Sequence, residues 1–90
     1  MSTLLVGFDL DSPGQDYTSL TARLKALGIW WHHLDSTWLV RTDMTVVQLR
    51  DVLRQSMDAN DKLLVIDVTG RTAAWCGFSE RATTWIKDYL

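Results

Sequence analysis

Apolar residues in this chain recur first at every second position and then at helical spacing. Two further stretches alternate, helical spacing returns, and a last stretch alternates again. That order of periods limits the available folds more than any other feature of the sequence. In "TLLVGFDL" (Thr3 to Leu10), Leu4, Val6, Phe8 and Leu10 share one face and Leu5, Gly7 and Asp9 the other, which predicts a strand. Pro13 and Gly14 break it, and Tyr17, Leu20, Leu24 and Leu27 then form a helical stripe. Asp16 is placed to cap that helix and Gly28 to end it. "IWWHHL" (Ile29 to Leu34) and "TWLVRT" (Thr37 to Thr42) are aromatic and β-branched, with Asp35-Ser36 between them as a tight hairpin turn.

Thr45 and Gln48 have capping-box spacing and open a second helix. Its apolar side carries Val46, Leu49, Val52 and Leu53, with Arg50, Asp51, Arg54 and Gln55 outward. "LLVIDV" (Leu63 to Val68) is the fourth strand, ended by Thr69-Gly70-Arg71. "TAAWCGF" is expected as a short edge strand, and Ser79 caps a last helix with the stripe Ala82, Trp85, Ile86 and Tyr89. Two right-handed crossovers around a central hairpin give a four-stranded antiparallel sheet, order 4-1-3-2, with two helices on one face. The chain thus reads as one α+β, ferredoxin-like βαββαβ domain over residues 1–90, with a core of about 3–70 and a strand/helix extension over 71–90.

Composition narrows the function classes. With 47% apolar residues and five tryptophans, the chain suits a folded core with aromatic surface to spare for a partner. Nine Lys and Arg against eleven Asp and Glu, a net charge of −2, argue against a coat for nucleic acid. No apolar run approaches the roughly 20 residues of a membrane span, and "MSTLLVGFDLD" reads as a strand rather than a signal peptide. The lone Cys76 reads as a small, partly buried residue and fits a reducing cytoplasm.

The topology gathers polar residues at one end of the sheet: Asp9, Asp11, His32, His33, Asp35, Ser36, Thr37, Asp61 and Lys62. The start of the first helix lies there too, with free N–H groups that favour an anion. Carboxylates suit Mg²⁺ or Mn²⁺, and an imidazole can serve as ligand or general base. Each residue also has a plainer role: aspartates at turns accept backbone hydrogen bonds, and a histidine is more often a hydrogen-bonded, half-buried ring. The adjacent histidines point to opposite faces, so one site takes at most one of them. No closed zinc spacing is present.

Both helices are expected over the Val6/Phe8 side together with Leu64, Ile66 and Val68. That leaves Leu5, Gly7, Asp9, Leu63, Val65 and Asp67 on a second face too apolar for water. Either the last helix folds over it or a second copy does. A homodimer formed there would bring two Asp9 carboxylates together, which requires a cation or a shared proton between them.

The segments "VGFDL", "FDLDSPGQDYTSL" and "WWHHLDSTWLV" resemble the small CRISPR-associated adaptation subunit and the virulence-associated protein D group. They are most similar to short bacterial and phage proteins labelled SinR-like; the resemblance spans roughly the first 70 residues. It implies a ferredoxin-like homodimer and, in some members, metal-dependent cleavage of RNA or double-stranded DNA. By position it carries the first-strand acid to Asp9, the hairpin serine to Ser36 and the following aromatic to Trp38. The basic run that follows the aspartate in those nucleases is replaced here by "DSPGQDY".

Two functions follow as expectations. One is a homodimer that binds a protein or nucleoprotein partner, such as a toxin–antitoxin or mobile-element component. The other is an endonuclease in which paired Asp9 residues hold Mg²⁺ or Mn²⁺, Ser36 positions phosphate, and His33 or His32 acts as acid or base. Arg23, Arg41 and Lys62 would then hold the nucleic-acid backbone.

Overall fold

The structure is a computed structural model that describes residues 1–11 and 17–90. Among these the chain runs β1 (Ser2–Asp9), α1 (Thr18–Lys25), β2 (Ile29–Leu34), β3 (Thr37–Thr42), α2 (Val46–Arg54), β4 (Lys62–Asp67) and α3 (Glu80–Tyr89). The strands make one antiparallel sheet in the order β2-β3-β1-β4, the order expected from the sequence. The turn expected at Pro13-Gly14 and the cap expected at Asp16 lie outside the described residues. Among the described residues no helix is long and apolar enough to cross a membrane.

Local chemistry sets the element ends. Gly28 takes φ +94°, a left-handed conformation that costs glycine little, and so stops the chain after α1. At α2 the capping box forms in both directions: the Gln48 N–H donates to Thr45 Oγ1 at 3.1 Å, and the Thr45 N–H to Gln48 Oε1 at 2.9 Å. At α3 the Ser79 hydroxyl accepts the Ala82 N–H at 3.2 Å.

The α1/α2 face of the sheet buries Leu4, Val6, Trp38 and Val40 against Leu20 and Leu24 of α1 and Leu49 and Leu53 of α2, each no more than 1% exposed. The opposite face is covered by α3. Trp31 and Leu39 pack on Ala82 and Ile86, flanked by Leu5, Val68, Trp75 and Phe78. The Trp31 indole N–H donates to the Ala82 carbonyl at 3.1 Å, which locks α3 over the hairpin. Of the two covers open to this face, the last helix is the one found, over the β2/β3 half.

Three expectations change. Leu64, Ile66 and Val68 do not join the α1/α2 side: the register Val6↔Val65 and Phe8↔Leu63 places Leu63 and Val65 there instead. Asp67 moves to that side too, opposite Leu4, while Leu64 and Ile66 turn to the α3 side of the sheet. Residues 71–78 form no strand but an irregular segment leading to α3. Cys76 on that segment is exposed rather than half-buried.

Truncating Trp38→Ala should cost about 3–5 kcal/mol, because the ring is 1% exposed at the centre of the larger core. Thr45→Ala, which loses one cap, should cost about 1 kcal/mol. Urea unfolding followed by far-UV circular dichroism measures both, and equal losses would contradict this division of the core and the cap.

Candidate functional site

The polar end of the sheet forms as the topology requires. The Phe8 N–H donates to the Ser36 carbonyl at 3.1 Å, which brings the hairpin turn beside the end of β1. Asp9 stands opposite Lys62 in the β1–β4 register, and the Asp11 N–H donates to Asp61 Oδ1 at 2.7 Å. The side chains nevertheless divide between faces. His32 stacks on Trp38, centroids 4.0 Å apart and planes 10° from parallel, and its Nε2–H reaches the Asp35 carbonyl at 3.0 Å. His33 lies on the other face, its ring 5.1 Å from Trp31. A register irregularity between Trp31 and Leu34 lies where the two histidines diverge.

Asp9 is exposed, and its cross-strand neighbour on the same face is the Lys62 ammonium. Among the described residues no group of three His, Cys, Asp or Glu side chains is arranged to hold a metal ion. Among the described residues Asp9 therefore offers Mg²⁺ or Mn²⁺ one carboxylate beside a lysine, a donor set that does not fit such an ion. The Ser36 hydroxyl is exposed at the turn, and its residue contributes its backbone carbonyl to β1.

Two of the three expected backbone-holding cations act inside the fold. Arg41 Nη1 donates to Thr3 Oγ1 at 3.0 Å and to the Tyr89 carbonyl at 3.2 Å, while the Thr3 hydroxyl also donates to that carbonyl. The guanidinium thus sits at the C-terminal end of α3, where it complements the helix dipole and lies 5.8 Å from the Tyr89 ring. Arg23 Nε donates to Ser56 Oγ at 2.7 Å and ties α1 to the end of α2. Lys62 remains exposed at the start of β4.

Asp61 is likewise a connector. Its carboxylate accepts the Asp11 N–H at 2.7 Å, the Asp58 N–H at 2.8 Å and the Tyr17 hydroxyl at 3.1 Å, joining three segments of chain. The Asp11 N–H, chiefly, followed by the Asp58 N–H and the Tyr17 hydroxyl, holds its pKa below the ordinary value of 3.8 against an opposing effect of desolvation.

Sequence reasoning did not locate an apolar groove that the fold builds beside α3. Between β1, β3 and β2 of the sheet, α3 and residues 71–78 lies a groove of about 470 Å³. Trp31, Leu34 and Leu39 form its floor, Trp75 and Phe78 its wall, and Ile86 its α3 side. Its volume falls in the range of ligand pockets, and its lining is mainly aliphatic and aromatic. Leu34, at the hairpin, is 46% exposed. The sequence signal was "WCGF": Gly77 takes φ +81°, reversing the chain between Trp75 and Phe78 so that both rings reach the second core. No family model, curated protein or solved structure matches this chain.

Arg41→Ala should lower stability by about 1.5–3 kcal/mol, the scale of hydrogen bonds to a charged group. Amide exchange should accelerate in α3 before the central strands, and uniform acceleration would contradict the clamp. For Asp61 the folded state holds its proton more weakly than the unfolded chain, so its stabilisation is present above the unfolded pKa near 4. That stabilisation is lost as pH falls through the lower folded value. Asp61→Asn should therefore flatten the acid limb of a stability–pH curve, and an unchanged slope would remove Asp61 from acid unfolding.

Proposed function

We propose that the protein is a homodimeric, ferredoxin-like binding module of the cytoplasm whose groove takes an apolar segment of another polypeptide. The partner is a protein or nucleoprotein component, such as a member of a toxin–antitoxin pair or a mobile element. The observation that carries this reading is the groove itself, where the half-buried Trp75 and Phe78 line an apolar surface beside the exposed Leu34. Aromatic pockets of this kind anchor protein partners. Charge supports it: Arg23 and Arg41 are engaged within the fold, and Lys62 faces Asp9. The resemblance to the CRISPR adaptation subunit and the virulence-associated protein D group enters this reading as a likeness of scaffold.

A metal-dependent endonuclease is the second reading, favoured by the exposure of Asp9 at the end of β1. It needs a second copy to supply the second carboxylate.

Affinity purification from the native host should yield one stoichiometric polypeptide with the wild type and with Arg54→Ala, a change on the exposed side of α2. That polypeptide should be lost with Leu34→Asp, an exposed position whose replacement spares both cores. Retention by Leu34→Asp would overturn the groove assignment. Incubation with RNA and duplex DNA in Mg²⁺ or Mn²⁺ should show no cleavage; cleavage abolished by Asp9→Asn would establish the nuclease instead.

A further inference from the structure

We propose that two copies join edge to edge through β4, in a register that sets Val65 on the twofold axis and Leu64 against the partner subunit's Ile66. This rests on the homodimeric part of the reading above and specifies its surface.

The two edges of the sheet differ. At the β2 edge the register is irregular between Trp31 and Leu34, and α3 lies against the hairpin through the Trp31–Ala82 hydrogen bond. At the β4 edge the pairing with β1 is continuous from Lys62 to Asp67, and β4 has no outer neighbour among the described strands. The strand "KLLVID" has no proline, and its charges stand only at its ends, so the usual guards of an exposed edge are missing. Leu64 and Ile66 are 57% and 43% exposed on it, and Val47 of α2 beside it is 51% exposed. A cleft of about 190 Å³ lined by Val46, Val47, Leu63, Leu64 and Val65, with Arg50 beside them, runs along the same edge.

Symmetry and charge select the occupant. A strand paired antiparallel with its own copy has its twofold axis perpendicular to the sheet, so residues that oppose one another must lie on the same face. Only registers that oppose even with even and odd with odd numbers meet that condition. Two of these overlap β4 most fully. With Leu64 on the axis, Asp67 meets the partner subunit's Asp61 twice, and Lys62 meets the partner subunit's Ile66. Like charges directly opposite are destabilising. With Val65 on the axis, Leu64 and Ile66 cover one another twice, and Asp61 meets the partner subunit's Thr69. Asp67 then meets the partner subunit's Leu63, with its carboxylate satisfied by the Thr69 hydroxyl at 2.6 Å and the Thr69 N–H at 3.0 Å. The second register places apolar against apolar where the surface is most exposed.

The resulting eight-stranded sheet carries α3 of both protomers on one side, so both grooves open toward that side. It also keeps the two β1 strands apart by the pair of β4 strands, about 14 Å at three strand spacings. The two Asp9 carboxylates then cannot share a metal ion, and this dimer and the paired-aspartate nuclease exclude one another.

Light scattering on the full chain tests the proposal, with circular dichroism confirming that each variant folds. The wild type should be a dimer. Leu64→Lys should weaken association by roughly tenfold or more and give a folded monomer. The double variant Leu64→Lys/Ile66→Glu should recover the dimer, because the new cation faces the new carboxylate across the axis, and salt should weaken it. With Leu64 on the axis, Ile66→Glu alone would face the partner subunit's Lys62 and strengthen the dimer, whereas with Val65 on the axis it faces the partner subunit's Leu64 and weakens it. A dimer strengthened by Ile66→Glu alone would overturn the register. A dimer unaffected by Leu64→Lys would overturn the β4 edge while leaving dimerisation standing. A monomeric wild type would overturn the proposal and the homodimer together, with the Leu34→Asp experiment still deciding the groove separately.

Discussion

Most of this molecule depends on β1 being held on both edges and both faces. Its backbone pairs with β3 on one side and β4 on the other. Leu4 and Val6 enter the core under α1 and α2, while Leu5 reaches the core under α3. A slip by one residue would exchange Leu4 and Val6 with Leu5 and Gly7 and empty the larger core. The register of β1 therefore sets the hairpin beside its end, the inward phase of β4 and the ground on which α3 lies. Thr3 extends the constraint to the C-terminal end of α3, since its hydroxyl and the Arg41 guanidinium meet at the Tyr89 carbonyl.

Three charged groups in this fold serve as connectors. Arg41 holds the end of α3 to β1, Arg23 holds α1 to the end of α2, and Asp61 holds the segment after β1 to the loop before β4. Side chains fixed this way have little freedom left for a substrate. Two of the surfaces the fold offers outward are apolar: a groove on the α3 side and the bare edge of β4. Both suit recognition by shape and burial, and that is the physical ground for preferring a binding module over a phosphodiester-cleaving site.

Much of the architecture was legible in the sequence because local signals agreed with one another. The Thr45/Gln48 box, the Ser79 cap and the Gly28 reversal each mark an element end through hydrogen bonding or φ, independent of what packs nearby. The histidines were expected on opposite faces, and His32 stacks on Trp38 while His33 lies tilted beside Trp31. The polar end of the sheet could also be foreseen, since the strand order alone brings Asp9, Ser36 and Lys62 to one edge.

Residues 71–78 apart, the order and type of the elements, the hairpin and the sheet topology were determined by the sequence alone, because period, caps and turn residues act over a few neighbours. The phase of β4 was not: every position from Leu63 to Ile66 is apolar, so alternation is silent and only pairing with β1 chooses Leu63 and Val65 as the inward pair. The same holds for α3 as the cover of the second face, the groove beneath residues 71–78, and Arg41 as a clamp. Each depends on groups dozens of residues apart, and only the folded chain brings them within reach of one another.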